Sequence, residues 1–490
     1  LKYNTFFMKK IILFSIVLQF FFSCNSSEVL FKNALCIENI NTIDPIDGLR
    51  KHQTVILVDG KIFKIASSTD LKLSKENSII DGTGKYLIPG LWDAHVHFAF
   101  NEVLAPSMFD LFLTSGITSV RDTGGEISFV NKWKQKSLAN PTDSPRVMIA
   151  GPLLDGNHNV YDGSDSGHPP LSVRLTTNET IIKEIEKLDS LNVDLLKAYE
   201  MLTISQFKTI IKTAKEKGLK VTGHVPLSMD VISASNLGLN SMEHLRNLEL
   251  SSASNADELL EQRKKLLKNE AGISGAKLRS QIHKAQREIA IRNYDSKKVD
   301  TILKTLLKNN TWQIPTLTLN TVFTERYYVN SSWQESFNYI PSSIAKKWKA
   351  RINIFKEIKI PEVRHLISKW NFSMVSKIHK AKIPIMAGTD CPIAFLTPGR
   401  SLHQELANFV KAGLSPLEAI KTATYSPAKY FNLEKELGSI KENMWADLVI
   451  LDANPLENIN NTTKIYAVIK QGNYLNRSKL DTKLEKLSKQ

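Results

Sequence analysis

Asp93-Ala94-His95-Val96-His97 follows an apolar run, Tyr86-Leu87-Ile88-Pro89-Gly90-Leu91-Trp92. Histidines two apart on a strand point to one face. His95 and His97 can therefore present two neutral imidazole nitrogens to one metal ion. Alone, such a pair is a weak signal and fits two ordinary surface or core histidines. Four more candidates each close a short strand-like stretch. Lys197 ends Val193-Asp194-Leu195-Leu196, and His224 follows Lys220-Val221-Thr222-Gly223. His244 follows Asn240-Ser241-Met242-Glu243, and Asp390 follows Met386-Ala387-Gly388-Thr389. The 20 residues from His224 to His244 leave room for one helix and the next strand. A charged Lys or Asp that closes an apolar strand is costly inside a core, whereas in a strand-end pocket it can meet a metal or a substrate. Each residue also has an ordinary reading: a satisfied histidine, a lysine with its head in water, a helix-capping aspartate. Six such residues in this order argue against coincidence.

Strands and helices in alternation must position them. Gly116-Ile117-Thr118-Ser119-Val120, Leu219-Lys220-Val221-Thr222 and Ile383-Pro384-Ile385-Met386-Ala387 read as further short strands, and residues 179–191 and 205–217 carry helical patterns. This alternation over residues 89–432 predicts an α/β fold, most simply a (β/α)8 TIM barrel with insertions. Active-site residues of such barrels sit at the C-terminal ends of the strands, where His95 and His97 would lie. Residues 25–88 read as short strands, with Asp59-Gly60 as a hairpin turn after Val55-Ile56-Leu57-Val58. A similar texture returns in Ala446-Asp447-Leu448-Val449-Ile450-Leu451 and Ile465-Tyr466-Ala467-Val468-Ile469. Each piece is too small for a core of its own. Residues 25–88 and 433–476 are therefore expected to form one small β-sandwich domain from both chain ends, and residues 477–490 read as a basic tail.

Three further residues have two readings each. His168, in Gly163-Ser164-Asp165-Ser166-Gly167-His168-Pro169, contacts substrate or is a plain loop histidine. Tyr199 hydrogen-bonds a substrate carbonyl or caps the barrel wall. Arg121 pairs with a substrate carboxylate, or with Asp122 or another acid at the strand ends.

The 490 residues carry 64 Lys and Arg against 49 Asp and Glu, a net charge of +15. With 42% apolar and 23% charged residues, the composition is globular and excludes disordered and collagen-like classes. Cys24, Cys36 and Cys391 are too few for a disulfide framework. The positive excess raises nucleic acid and anionic membrane as partners. Residues 261–310 hold 13 Lys and Arg against five Asp and Glu, about half of that excess. This helical segment reads as a solvated face or as an insertion that shapes the site. With no recognition motif and no interleaving of aromatic and basic residues, no nucleic-acid partner is expected. Lys9 and Lys10 precede an apolar run over residues 11–22 that ends in Ser23-Cys24. Residues 1–24 are therefore expected to be a secretory signal, too short to span a bilayer; the other reading is a buried N-terminal helix.

Together these stretches resemble the amidohydrolase superfamily, and within it the relatives of imidazolonepropionase and of the Xaa-Pro and Xaa-Arg dipeptidases. The likeness runs from Asp81-Gly82-Thr83-Gly84 and the His95 and His97 motif, through Gly116-Ile117-Thr118-Ser119-Val120-Arg121-Asp122 and Ala387-Gly388-Thr389-Asp390, to Ser415-Pro416-Leu417-Glu418-Ala419-Ile420 and Ala446-Asp447-Leu448-Val449-Ile450-Leu451. It implies two divalent metal ions, taken as Zn2+. His95 and His97 would bind the first, with Asp390 as a further ligand, and His224 and His244 the second. Lys197, N6-carboxylated, would bridge them; a single-metal site is the alternative. The two cations would acidify a bridging water and polarise the scissile carbonyl, and Asp390 would pass the proton to the leaving amine.

Two departures stand out. Gly223-His224-Val225-Pro226 replaces the His-Ala-His of nearby relatives. Leu227 stands where deaminase-type members often carry an acid, which argues against deamination. Phe21-Phe22-Ser23-Cys24 resembles a bacterial lipoprotein box, and an acylated Cys24 would anchor the chain to a membrane without spanning it. The expectation is an exported, periplasmic or outer-membrane-anchored hydrolase of C–N bonds in a small-molecule substrate, of dipeptidase type. The alternatives are an imidazolonepropionase-like hydrolase of a cyclic amide, against which export weighs, and a non-catalytic ligand-binding lipoprotein, against which the six-residue set weighs.

Overall fold

The structure is a computed structural model that describes residues 33–165 and 167–489. The expected signal and Cys24 lie outside these residues.

The strands of both chain ends form one eight-stranded sheet. Leu35–Asp44 pairs antiparallel with Gly48–Val58, which turns at Asp59-Gly60 into Lys61–Ser67. Ser78–Asp81 and Tyr86–Pro89 lie parallel to Leu35–Asp44. The C-terminal strand Leu448–Leu451 then pairs antiparallel with Tyr86–Pro89, placing Leu448 opposite Pro89 and Leu451 opposite Tyr86. Ile465–Lys470 and Asn473–Leu475 complete the sheet. Ile37, Val55, Leu57 and Leu87 from the first end share an apolar cluster with Leu448, Ile450, Ala467 and Ile469 from the second. Full burial of one aliphatic side chain is worth about 1.5–3 kcal/mol, so either end alone would lose much of its core. Residues 477–490, expected as a basic tail, are mostly the helix Arg477–Ser488. Its Leu480 and Leu487 are buried, and Lys483 Nζ reaches Asp110 and Asp143 at 2.9 Å.

The strands between the two ends are parallel. Leu91–Val96, Ile117–Asp122 and Arg146–Ile149 form one sheet. Ser172–Arg174, Leu153–Asp155, Leu195–Ala198, Lys220–Gly223, Ser241–Glu243 and Trp312–Ile314 form another, in that spatial order. Asp194 N donates to Ile149 O at 2.9 Å, from the start of one sheet's strand to the edge of the other. On the far side, Ile385 bridges to Gln313 and Cys391 to Val96. The strand expected at residues 383–387 is reduced to this bridge; Pro384 has no N–H for a ladder, and its carbonyl accepts from Gln313 N at 2.9 Å. Most of these strands are buried along their whole length, which is why they read as apolar runs rather than alternating ones.

The helices Asn178–Ser190 and Ile204–Glu216 fall within one residue of the expected ranges. Thr177 and Thr203 open them with reciprocal capping boxes to Thr180 and Gln206. The basic segment folds as the helices Ala256–Leu266, Gly275–Arg292 and Ser296–Lys308. Gly275 starts the second where a Cβ would lie 1.9 Å from His158 O, so only glycine lets the helix press against that loop. No helix among the described residues is long and apolar enough to cross a membrane.

Candidate metal centre

All six strand-end candidates line one cavity of about 300 Å³. His95 Nε2 and His97 Nε2 lie 3.3 Å apart, and Asp390 Oδ1 lies 3.2 Å and 3.0 Å from them. Tetrahedral ligands about 2.0–2.1 Å from one zinc ion would be separated by about 3.3 Å, so these atoms are spaced as ligands around a common centre. His95, His244 and Asp390 also offer ligand atoms within 4.8 Å of one another. The His244 ring stands 4.7 Å from that of His95 and 4.8 Å from that of His224. Lys197 Nζ is buried with no hydrogen-bond partner, 3.9 Å from Glu243 Oε1. Asp390 Oδ1 is likewise buried without a partner of hydrogen-bonding geometry. Such orphaned groups are costly unless something binds them, and imidazoles with a carboxylate are a donor set that divalent metals take.

Each of the four rings is held from behind. His95 Nδ1 meets Glu243 Oε2 at 2.6 Å, and His97 Nδ1 meets Gly124 O at 3.0 Å. His224 Nδ1 meets Glu200 Oε1 at 2.5 Å, and His244 Nδ1 meets Thr316 Oγ1 at 2.6 Å. Donating Nδ1–H outward leaves Nε2 with a free lone pair, the arrangement that metal-binding histidines use. Asp390 and His244 both hold left-handed backbone, at φ +65° and +57°. For residues other than glycine this costs energy and is concentrated at functional sites. It is fixed here by Asp390 N donating to His95 O at 2.7 Å and by Thr389, which donates to Asp93 from both N and Oγ1. Gly388 lets the segment pack on the strand, since a Cβ would fall 2.7 Å from His95 Cβ.

Burial acts to raise the Asp390 carboxyl, but the facing His95 and His244 overcome it and hold the group well below the usual carboxylate range. Burial brings the Lys197 amine down to about 8. Burial pushes the His224 and His244 imidazoles well below their usual value.

Sequence reading missed Glu243 and Glu200. Both are fully buried acids one residue after or before a strand-end feature, and that charge within an apolar stretch was the available signal. Glu243 accepts from Arg121 Nη2 at 2.8 Å and from Thr222 Oγ1, besides His95. Arg121 is itself fully buried and does not line the cavity, so its charge is taken up by Glu243 rather than by Asp122. Glu200 accepts from Arg279 Nε at 3.0 Å and meets His283 Nε2 at 2.8 Å. His283 lay in the basic segment, so that segment is an inward wall of the site as well as a solvated face. Tyr199 lines the cavity with its ring 4.4 Å from that of His224. His168 does not line it; its Nδ1 meets Asp165 Oδ1 at 2.9 Å. Glu200→Gln keeps the shape but removes the charge behind His224. It should weaken metal binding by about 10–100-fold, measured by competition with a chromophoric chelator; unchanged affinity would show that Glu200 does not support the ligand.

A model of the Amidohydrolase family matches residues 86–475. An adenine deaminase of Clostridium perfringens is 25% identical over 206 residues, 39% of this chain and 33% of that protein. The chain spans only about a third of the length of the curated adenine deaminases that it matches. Among solved structures, a Xaa-Pro dipeptidase with bound methionine in its active site superposes with a TM-score of 0.64 at 18% identity, over 91% of this chain and 100% of that one. A bottromycin amidohydrolase does so with a TM-score of 0.67 at 19% identity, over 93% of this chain and 90% of that one. These two likenesses concern the fold.

Proposed function

The chain belongs to the amidohydrolase family, and on that footing we propose that it is an exported, metal-dependent hydrolase that cleaves an amide or peptide bond in a small substrate, in the manner of a dipeptidase. The observation that carries this reading is the set of four histidines whose Nδ1 atoms are all engaged outward around one cavity. His95, His97 and Asp390 would hold one divalent ion, and His224 and His244 a second, with Lys197 as a bridging carbamate. When bound, two zinc ions acidify water and polarise a carbonyl. The chain supplies the rest. Asp390, ionised by its facing histidines, accepts the attacking water's proton and returns it to the leaving nitrogen. Tyr199, against His224 in the cavity wall, is placed to hydrogen-bond the substrate carbonyl. Leu227 offers no proton to a purine ring nitrogen, which favours amide hydrolysis over deamination.

The same reading takes the parallel strands as a closed (β/α)8 barrel, supported by the bridges from Ile385 and Cys391 and by the Asp194 to Ile149 bond. It takes the composite sheet as a β-sandwich domain, and Cys24 as the site of a lipid anchor to the outer membrane. A screen of dipeptides, N-acyl amino acids, cyclic amides and lactones with zinc-loaded protein tests it. Release of free amine from the first two classes is expected. Ring opening alone would favour an imidazolonepropionase-like hydrolase, and no turnover of any class would contradict the reading.

A further inference from the structure

We propose that the amine half of the substrate carries two carboxylates, as in an N-acyl or N-aminoacyl aspartate or glutamate, and that a wall of four arginines, two of them from the basic insertion, receives them. This rests on the hydrolase reading above. Arg279, His283 and Arg287 stand at i, i+4 and i+8 of the helix Gly275–Arg292, and so share one face. Arg279 and Arg287 line the cavity that holds the six metal-site candidates, together with Arg246 and Arg364.

Two carboxylates of the chain answer these four guanidinium groups. Arg279 gives Nε to Glu200 at 3.0 Å, and Arg287 gives Nε to Glu249 at 2.8 Å. Each engages its acid through Nε. Arg246 Nε is buried without a hydrogen-bond partner, and its nearest acid oxygen, on Glu200, is 4.0 Å away. Arg364 lies over the Phe323 ring at 5.2 Å and has no carboxylate partner among the described residues. His283 shares Glu200 and, pushed down to about 4 by burial, adds no charge of its own. Four cations against two anions leave an excess of two positive charges along the wall, one at the partly buried Arg246 and one at Arg364, which is exposed at its rim. A dipeptide with a neutral C-terminal side chain brings one carboxylate and answers half of that excess. A C-terminal Asp or Glu brings two, and guanidinium forks match carboxylates bidentately. A cavity of about 300 Å³ admits a ligand of dipeptide size.

The test uses the zinc-loaded full chain with N-acetyl and glycyl derivatives of Glu, Gln, Asp, Asn and Leu, and calorimetric binding of L-glutamate against L-glutamine. The acidic derivatives should exceed their amide isosteres by about 10–100-fold in kcat/KM, the worth of one charge-assisted hydrogen-bonded pair. L-glutamate should bind more tightly than L-glutamine by a similar factor. In Arg364→Gln and Arg287→Gln, KM for the Glu derivative should rise far more than KM for the Gln derivative. Equal turnover of Glu and Gln derivatives would overturn the inference and leave the hydrolase reading standing. Tighter binding of L-glutamate with no turnover of any amide would support the inference and contradict the hydrolase reading. Equal binding of the two amino acids would overturn the inference even if the variants failed to fold.

Discussion

Asp390→Asn should retain the fold and lower kcat by about 10³-fold, with a much smaller change in KM. The fold should persist because asparagine tolerates the left-handed conformation that Asp390 adopts at φ +65°. The bond from residue 390 N to His95 O and the Asp93–Thr389 contacts do not involve its side chain. Catalysis should fail because an amide cannot accept the proton that Asp390, ionised beside His95 and His244, is poised to take. Its neutral oxygen is also a weaker metal ligand. The measurement is steady-state kinetics at saturating zinc, alongside thermal unfolding. Activity retained within tenfold would remove Asp390 from the proton transfer.

Lys197→Ala should lose one of two bound metals and lower kcat/KM by on the order of 10²–10³. The Lys197 amine is fully enclosed and makes no hydrogen bond, so as a bare ammonium it serves no structural partner except the 3.9 Å contact to Glu243. Carbon dioxide adds to a neutral amine, forming a C–N bond and releasing a proton, which turns a repelled cation into an anionic ligand. Burial sets the amine near 8. Below that value it is mostly ammonium and unreactive; as pH rises through it, the neutral form grows. Assembly of apo-protein with zinc should accordingly be faster in bicarbonate at pH 8.5 than at pH 6.5 in wild type, and insensitive to bicarbonate in Lys197→Ala. A wild-type protein indifferent to bicarbonate and pH in this range would contradict the carbamate.

The ligand candidates were legible because each ends a short strand-like stretch, and the six fall in one order along the chain. The parallel strands were legible as short apolar runs, and the composite sheet because neither end could bury Ile37, Leu448 and their neighbours alone. Glu200 and Glu243 were not legible, since their partners lie 24 to 148 residues away along the chain. No local pattern encodes a pairing that only the closure of the fold creates. Arg279, His283 and Arg287 were hidden differently. In a segment of 13 basic residues, nothing in the spacing separates the face turned to Glu200 and Glu249 from the face turned to water. The segment 383–387 shows the reverse case, where apolar content suggested a strand but Pro384 leaves only a bridge.

Metal content is the most direct test of the central claim that these strand ends form a hydrolytic metal centre. Full-chain protein expressed with added zinc, freed of loose ions and analysed by elemental mass spectrometry should contain about two equivalents of divalent metal per chain. Protein that is folded and contains none would contradict the account.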